Sequence, residues 1–565
     1  MRAFFASLAL AGGLGSCGGD PRPAEPAADA AGTTPWFEDA ARVRGLAFDH
    51  HTGQHGRYLY PEIACGGGGL FDMDGDGDLD AYLVQSGGVL TPREERPGNQ
   101  LFANRGDGTF EDVSAGSGAD DRGYGMGVAA GDSDGDGDTD LYVTNLEENA
   151  LLENDGQGKF RDVTREKNAG ETKWSSSAAF FDADRDGDLD LFVANYIAWS
   201  VESERVCYAP PHGETYCGPL AYDSSLPSTF LRNEGEGSFT NRSSEAGLLS
   251  SFGNGLGIGI LDFDADGWLD VFVADDGTKN HLWINQRRGT FVDRAVPLGC
   301  AADQDGQIKA GMGVGVADVD GDEDEDLLVV NLTGEHDSLF LNQGTHFADR
   351  TATFGLTKLS HRFTRFGVGF QDFDQDGWLD LYEANGRVSH GPESSGPDPF
   401  AEPNLLYRWT PLPPPAGGGR FEEVEPRGGT EPVLVAASRA AAFGDVDGDG
   451  GVDVLVVNRD GPAHLLLNRV PGRGSWIRFR VVNERGSDAL GALVSLRSGE
   501  RTLVRRVRSD GSYCATNDPR VHFGLGALRA VDEVLVRWVD GREEAFGPFE
   551  AGREWKLARG GGRAR

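Results

Sequence analysis

One nine-residue pattern, D-x-D-x-D-x-x-x-D, occurs seven times in this chain. The copies are DMDGDGDLD from Asp72, DSDGDGDTD from Asp132, DADRDGDLD from Asp182, DFDADGWLD from Asp262, DVDGDEDED from Asp318, DFDQDGWLD from Asp372 and DVDGDGGVD from Asp445. Their starts lie 50 to 80 residues apart. Self-similarity at that period restricts the chain to repeat architectures, in which no unit buries its own faces and stacked neighbours supply the core.

The flanks repeat as well. A run of small residues precedes most copies, as in GMGVAAGD, GLGIGILD, GMGVGVAD and FGVGFQD, and an alternation of β-branched or aromatic residues follows, as in LDLYVTN and LDLFVAN. Alternation of period two on both sides of a polar turn marks two strands joined by a loop. Further on, LLENDGQGKFRDVT, FLRNEGEGSFTN and LWINQRRGTFVD place turn residues between a strand ending near Asn and one starting at Phe. Four short strands per unit result. Units counted from Phe37, Phe110, Phe160, Phe239, Phe291, Phe347 and Phe421, the last running out near Asn468, equal the loops in number. The expected fold class is all-β, with a seven-bladed β-propeller over residues 36–470. An open β-solenoid is the other arrangement such units permit. A small β-sandwich-like domain is expected over 471–559 and a disordered tail over 560–565.

Each loop gathers hard oxygen donors. Positions one, three, five and nine are Asp72, Asp74, Asp76 and Asp80 in the first copy and Asp132, Asp134, Asp136 and Asp140 in the second. They are Asp182, Asp184, Asp186 and Asp190 in the third, and Asp262, Asp264, Asp266 and Asp270 in the fourth. The fifth has Asp318, Asp320, Asp322 and Asp326, the sixth Asp372, Asp374, Asp376 and Asp380, and the seventh Asp445, Asp447, Asp449 and Asp453. Position seven offers a backbone carbonyl, from Asp78, Asp138, Asp188, Trp268, Asp324, Trp378 and Gly451 in turn. Six to eight hard oxygens are what Ca2+ takes. Up to seven Ca2+ ions are therefore expected, in loops flanked by strands, and their role is structural.

The charge distribution gives independent support. These 63 residues hold 34 of the 91 acidic side chains and a single basic one, Arg185, so the loops account for most of the net charge of −39. A merely solvated acidic face has no need of a fixed spacing. The same charge argues against nucleic acid as a partner. In the fifth copy the sixth position, glycine in the other six, is Glu323. A left-handed turn there costs a residue with a side chain about 1–2 kcal/mol, so the fifth site is expected to be the weakest.

The N-terminus points to export. Arg2, the apolar run 4–10 and Leu14-Gly15-Ser16-Cys17 read as a lipoprotein signal over residues 1–17, with Cys17 as the lipidated residue. Residues 18–35 are small, polar and proline-rich, as a flexible tether would be. The chain is expected on the cell envelope, at the outer membrane or cell surface, in contact with the membrane through its anchor alone. An oxidising compartment makes a local disulfide expected between Cys207 and Cys217 in CYAPPHGETYC. Cys65, Cys300 and Cys514 stay unassigned.

The loops and the small-residue runs before them resemble FG-GAP or VCBS-type repeats, the blade units also known from integrin α-subunit heads. Residues 490–539, with GALVSLRSGERTLVRRVRSDGSYCATNDPRVHFGLG followed by VDEVLVRWVDGR, look like an ASPIC/UnbV domain. The order of signal, calcium repeats and terminal domain is similar to that of the cartilage acidic protein family and its bacterial relatives. That resemblance implies a secreted or surface-attached calcium-binding protein, in some members linked to matrix or adhesion, without a common reaction.

Two further constellations stand out. His50 and Glu62 precede the first loop, His361, Arg362 and Arg365 the sixth, and Arg439 the seventh. Gathered at a propeller axis, they would suit an acidic sugar or proton abstraction from one. Polar residues at a propeller mouth can equally satisfy one another. The region 471–565 holds 18 basic and 12 acidic residues, against the acidic excess of the rest. It either docks on the acidic propeller or presents arginines to an anionic polymer; Arg506 and Arg508 share one strand face.

The functional expectation is a surface binding or adhesion module with structural calcium, whose partner is an extracellular polysaccharide or a surface protein. The rival is a polysaccharide-active lyase or hydrolase using the axial His, Glu and Arg residues. An accessory role in assembling another secreted product is a third possibility.

Overall fold

The computed structural model describes residues 34–390, 398–412, 418–499 and 501–565. The lipobox with Cys17 and nearly all of the 18–35 tether lie outside the described residues. The described chain is all-β, and none of its helices is long and apolar enough to cross a membrane.

Every loop of the repeated pattern joins the first two strands of an antiparallel sheet. In sheet two these are Gly125–Gly131 and Asp140–Asn145, followed by Ala150–Asn154 and Phe160–Asp162. Sheets one, three, four, five and six follow the same plan, with first strands Gly68–Phe71, Ser175–Phe181, Gly255–Leu261, Val314–Ala317 and Arg365–Gln371. Sheet seven opens with Ser438–Gly444. Its fourth strand comes from the other end of the chain: Phe37–Asp39 pairs with His464–Asn468, Phe37 facing Asn468. The phase therefore differs from a count that starts each unit at its Phe. That residue opens the outermost strand of the preceding sheet, and the N-terminal copy closes the ring.

Among the described residues the first strands of these seven sheets neighbour one another in cyclic order, from sheet one to seven and back to one. Small residues fit this innermost position because the strands converge there. Apolar residues from all four strands fill the space between sheets, as Phe181, Phe192, Phe230, Ile258, Val271, Trp283 and Phe291 do between sheets three and four. Closing the ring this way leaves no sheet face without a neighbour, which a four-stranded unit could not achieve alone.

The third unit carries a long insertion between its second and third strands. It includes a hairpin, Cys207–Ala209 with Gly213–Thr215, bonded across Cys207–Cys217 at a Cα separation of 5.3 Å. Cys65, Cys300 and Cys514 are buried free thiols.

The C-terminal domain is built around two main sheets, beside a small two-stranded one that pairs Ala530–Val531 with Phe549–Glu550. Ser475–Val482 lies between Val521–Gly526 and Glu554–Ala558, and the facing sheet runs in the order Arg501–Arg506, Leu493–Ser498, Val534–Arg537, Glu543–Phe546, Arg563–Ala564. Ile477, Phe479, Val494, Phe523, Val536 and Trp538 are packed between them. The tail is not free: Arg563 and Ala564 pair with Ala545 and Glu544, and Arg563 and Arg565 form ion pairs with Glu533. Alternating charges hold a strand that composition alone presents as disordered.

Between its strands Arg501–Arg506 and Val521–Gly526 this domain sends a loop, residues 509–518, into the centre of the ring. The loop bonds to the first strand of every sheet. It pairs in parallel with sheet one (Gly68 with Ala515, Gly69 with Thr516) and takes the Ala130 N–H of sheet two on Thr516 Oγ1 at 3.2 Å. Cys514 N–H donates to Ser177 Oγ of sheet three at 3.1 Å, and Ile260 N–H of sheet four to Asp510 Oδ2 at 2.8 Å. Ser512 exchanges backbone bonds with Val314 of sheet five, receives the Val368 N–H of sheet six on its hydroxyl, and donates that hydroxyl to the Ala441 carbonyl of sheet seven. Glycine makes room for it. A Cβ at Gly69 would stand 2.1 Å from Thr516 Cγ2, and one at Gly127 2.8 Å from Cys514 Cα.

Candidate metal centres on the loop face

The seven loops share one geometry, set by three carboxylates in fixed roles. The ninth residue is buried in each copy and uses both oxygens on backbone. Asp80, for instance, accepts the Met73 N–H at 2.9 Å and the Asn104 N–H at 2.8 Å, and Asp453 accepts those of Val446 and Asn468 at 2.9 and 2.7 Å. Position nine thereby clamps the loop start to the third strand. One oxygen of position one accepts the N–H of position six in all seven loops, over 2.8 to 3.2 Å. The fifth residue accepts the N–H of the seventh, for example Asp266 from Trp268 at 2.9 Å, Asp376 from Trp378 at 2.9 Å and Asp449 from Gly451 at 2.8 Å.

These bonds wind the chain through two left-handed residues, at positions four and six. Position four is not always glycine: Arg185, Ala265 and Gln375 take φ of 61°, 53° and 60° there. At position six Glu323 has φ of 76° and its N–H reaches Asp318 Oδ2 at 3.2 Å, so the fifth loop closes like the others despite its side chain.

Carboxylate oxygens also converge, those that already accept a backbone N–H among them. Asp72, Asp74 and Asp80 each present an oxygen within 4.8 Å of the others, as do Asp132, Asp134 and Asp136, Asp182, Asp184 and Asp190, Asp262, Asp264 and Asp270, and Asp318, Asp320 and Asp326. Buried oxygens without any partner include Oδ1 of Asp182, Asp184, Asp262, Asp320, Asp445 and Asp447. An unpartnered buried carboxylate oxygen is costly. Several converging on one point fit a hard cation that takes only oxygen. Without a cation, burial and then the neighbouring carboxylates push Asp182 up to about 7 and Asp372 up to about 8, and burial raises Asp80 and Asp326 to about 8. The donor set of these clusters thus fits a hard divalent cation such as Ca2+.

An asparagine at the end of the third strand stitches loop to loop. Asn104 Nδ2 donates to the Leu79 carbonyl of its own loop at 3.0 Å and to the Val446 carbonyl of loop seven at 2.8 Å. Asn154, Asn233, Asn285, Asn342 and Asn468 bridge to the preceding loop in the same way. In sheet six Trp409 stands there and gives only its backbone N–H to Asp380. The signal was the recurring Asn before each turn, which reads as turn chemistry until the ring brings neighbouring loops together.

The C-terminal domain covers this face. Arg478 Nη1 reaches Asp445 Oδ2 at 2.8 Å, Arg480 Nη1 reaches Asp72 Oδ2 at 3.0 Å, and Arg485 Nη1 reaches Asp188 Oδ1 at 2.8 Å. Ser487 donates to Asp132 Oδ2, while Arg506 and Arg508 both hold Glu325. Carbonyls of position six are taken by Arg520 at Gly77 and Arg501 at Gly377, at 2.8 and 2.9 Å. Of the two sequence readings of the basic region, docking on the acidic propeller is the one these contacts realise.

The residues set aside for an axial ligand site are not gathered into one pocket. His50 is fully buried between the Arg459 carbonyl and Ser86 Oγ, and burial pulls it down to about 4, so it is neutral. Glu62, buried, accepts the Tyr216 hydroxyl at 3.1 Å and is raised by burial to about 7. Arg365 is buried against Asp337 at 2.8 Å and several carbonyls. Arg439 is buried with its guanidinium on the carbonyls of Ile63, Gly386 and Arg387 and over the Phe366 ring at 4.0 Å. His361 and Arg362 are exposed, the former beside the His336 ring. Each buried member satisfies its neighbours, and the 509–518 loop fills the axis they would have faced.

Comparison with known proteins agrees with this architecture. Residues 72–143, 134–193, 262–329 and 318–383 match the FG-GAP-like repeat, and residues 483–564 match ASPIC and UnbV. The chain is similar to cartilage acidic protein 1 of Homo sapiens, at 26% identity over 339 residues, covering 58% of this chain and 48% of the relative. The Mus musculus protein of that name gives 26% identity, 58% and 49%. The chain spans about half the length of the curated relatives it matches. Among solved structures it is similar to an Agrocybe aegerita lectin studied for recognition of non-reducing terminal N-acetylglucosamine, with a TM-score of 0.36, 14% identity and coverage of 72% of this chain and 92% of that one. YCF48 bound to D1 peptide gives a TM-score of 0.39, 9% identity, 79% and 100%.

Proposed function

We propose that this chain, which carries FG-GAP-like repeats and an ASPIC and UnbV segment, is an exported binding module whose propeller is held together by calcium. The observation that carries the reading is the set of buried, unpartnered carboxylate oxygens repeated around the loop face. Bound Ca2+ supplies the positive charge that these oxygens lack, and loading and folding then become one equilibrium. At a free ion concentration about 100 times the dissociation constant, one site contributes roughly 2.7 kcal/mol.

Binding is favoured over catalysis because the ring's axis is filled and His50, Glu62, Arg365 and Arg439 are engaged separately. The export signal and Cys17 support attachment to the cell envelope, and the partner is an extracellular polysaccharide or surface protein reached by the faces that the C-terminal domain leaves open. Gel retardation on acidic and neutral polysaccharides in millimolar calcium, with new chain ends assayed in the same samples, tests this. Retardation without new ends, abolished by chelator, is expected; new ends that vanish on His50 or Arg365 substitution would establish an enzyme instead.

A further inference from the structure

Position-one aspartates divide their two oxygens between two tasks, and the C-terminal domain takes part in one of them. In loop seven, Asp445 Oδ1 is buried without a partner, while Oδ2 accepts the Gly450 N–H at 2.9 Å and the Arg478 guanidinium at 2.8 Å. In loop one, Asp72 Oδ2 accepts the Gly77 N–H at 3.2 Å and Arg480 Nη1 at 3.0 Å, while Oδ1 accepts the Gly75 N–H at 2.8 Å and the carboxylate faces Asp74 and Asp80. Arg478 and Arg480 are two apart on the strand Ser475–Val482 and so project to one side of it. That strand lies across two adjacent loops.

Resting on the calcium reading above, we propose that Arg478 and Arg480 are positioning residues for the metal sites of loops seven and one, so that calcium loading there and docking of the C-terminal domain are a single linked equilibrium. A carboxylate pinned through Oδ2 from two sides keeps Oδ1 in one orientation before the ion arrives. Partners that orient a metal ligand in this way are typically worth about 10- to 100-fold in affinity. The guanidinium charges would oppose a cation, but each is already matched: Arg478 by Glu554 at 2.8 Å and Arg480 by Asp488 at 3.2 Å. Orientation therefore outweighs repulsion. By reciprocity, calcium strengthens docking by the factor that docking strengthens calcium binding. Loop three differs: the C-terminal domain reaches its seventh residue, Asp188, through Arg485, and among the described residues no bond from that domain reaches its position one, Asp182.

Calorimetric calcium titration of the full chain tests this, using wild type, Arg478→Gln, Arg480→Gln, Asp445→Asn and the Arg478→Gln/Asp445→Asn double variant. Each arginine variant is expected to weaken one site about tenfold. Arg478→Gln is expected to change nothing further once Asp445 is Asn. In wild type, calcium is expected to slow amide exchange in residues 509–518. Folded arginine variants that titrate like wild type, or an Arg478→Gln effect that persists in the Asp445→Asn background, overturn the proposal. Should the variants not fold, wild-type exchange in 509–518 that ignores calcium overturns it without them. A wild type that takes up no calcium refutes the calcium reading itself, whereas uptake indifferent to Arg478 and Arg480 refutes only the linkage.

Discussion

Tyr513 donates its hydroxyl to the Ala64 carbonyl oxygen 2.6 Å away, tying the tip of the C-terminal loop to the end of the channel opposite the metal loops. Tyr513 is fully buried, and its ring packs edge-on against Phe366 at 4.9 Å. The loop that carries it holds all seven sheets at once, so it acts as a common axle. Tyr513→Phe is expected to cost about 1–2 kcal/mol by leaving a buried carbonyl unpaired. Tyr513→Ala should cost about 3–5 kcal/mol through the cavity it leaves. Chemical denaturation of the two variants in calcium checks the order.

Glu323 is the one side chain at a sixth position, and it adopts the left-handed conformation that glycine takes in the other six loops. Glu323→Gly is expected to stabilise the calcium-loaded protein by about 1 kcal/mol, part of the 1–2 kcal/mol strain being offset by the greater freedom of glycine when unfolded. A rise in melting temperature is the readout, and a fall would show that Glu323 makes a contribution beyond its backbone.

Asp182→Asn with Asp186→Asn removes two donors from loop three, where Asp182 and Asp184 have unpartnered oxygens. Calcium stoichiometry and melting temperature are expected to fall together, because on the proposed reading metal binding and folding are one equilibrium. The same substitutions in excess chelator should raise the melting temperature slightly, since they remove like-charge crowding.

His50 gives the protein an acid-side sensitivity. Its folded value of about 4 lies below the ordinary 6.5, because burial disfavours the charged ring. The unfolded chain therefore binds more protons between these values, and stability is lost as pH falls from about 6.5 to 4. Integrated over that window the loss is on the order of 3 kcal/mol. His50→Gln is expected to flatten this limb of the stability profile, whatever it does to stability at neutral pH.

Much of this was legible in the residues. The spacing of Asp72, Asp74, Asp76 and Asp80 and its six copies specify strand, loop and strand, because the pattern is local. The left-handed turn at Glu323 was legible for the same reason. What depended on closure was not. That Phe37 would pair with Asn468 at the far end of the chain, or that Asn104 would bond the Val446 carbonyl, follows from bringing sheets one and seven together, which no local pattern encodes. Arg439 looked like a ligand-binding cation. Its actual surroundings, four carbonyl contacts and an aromatic ring, come from its own neighbour Ser438, from segments some 50 to 75 residues back, and from Ile63, 376 residues away. The 509–518 loop was equally hidden, as a small polar stretch whose role exists only where a channel receives it.

The central claim is that calcium in the loops holds the ring together. Thermal unfolding of the full chain in millimolar calcium and in excess chelator tests it most directly. A large drop in melting temperature without calcium, reversed when the ion is restored, is the expected result. Superimposable melting curves in the two conditions would contradict the account.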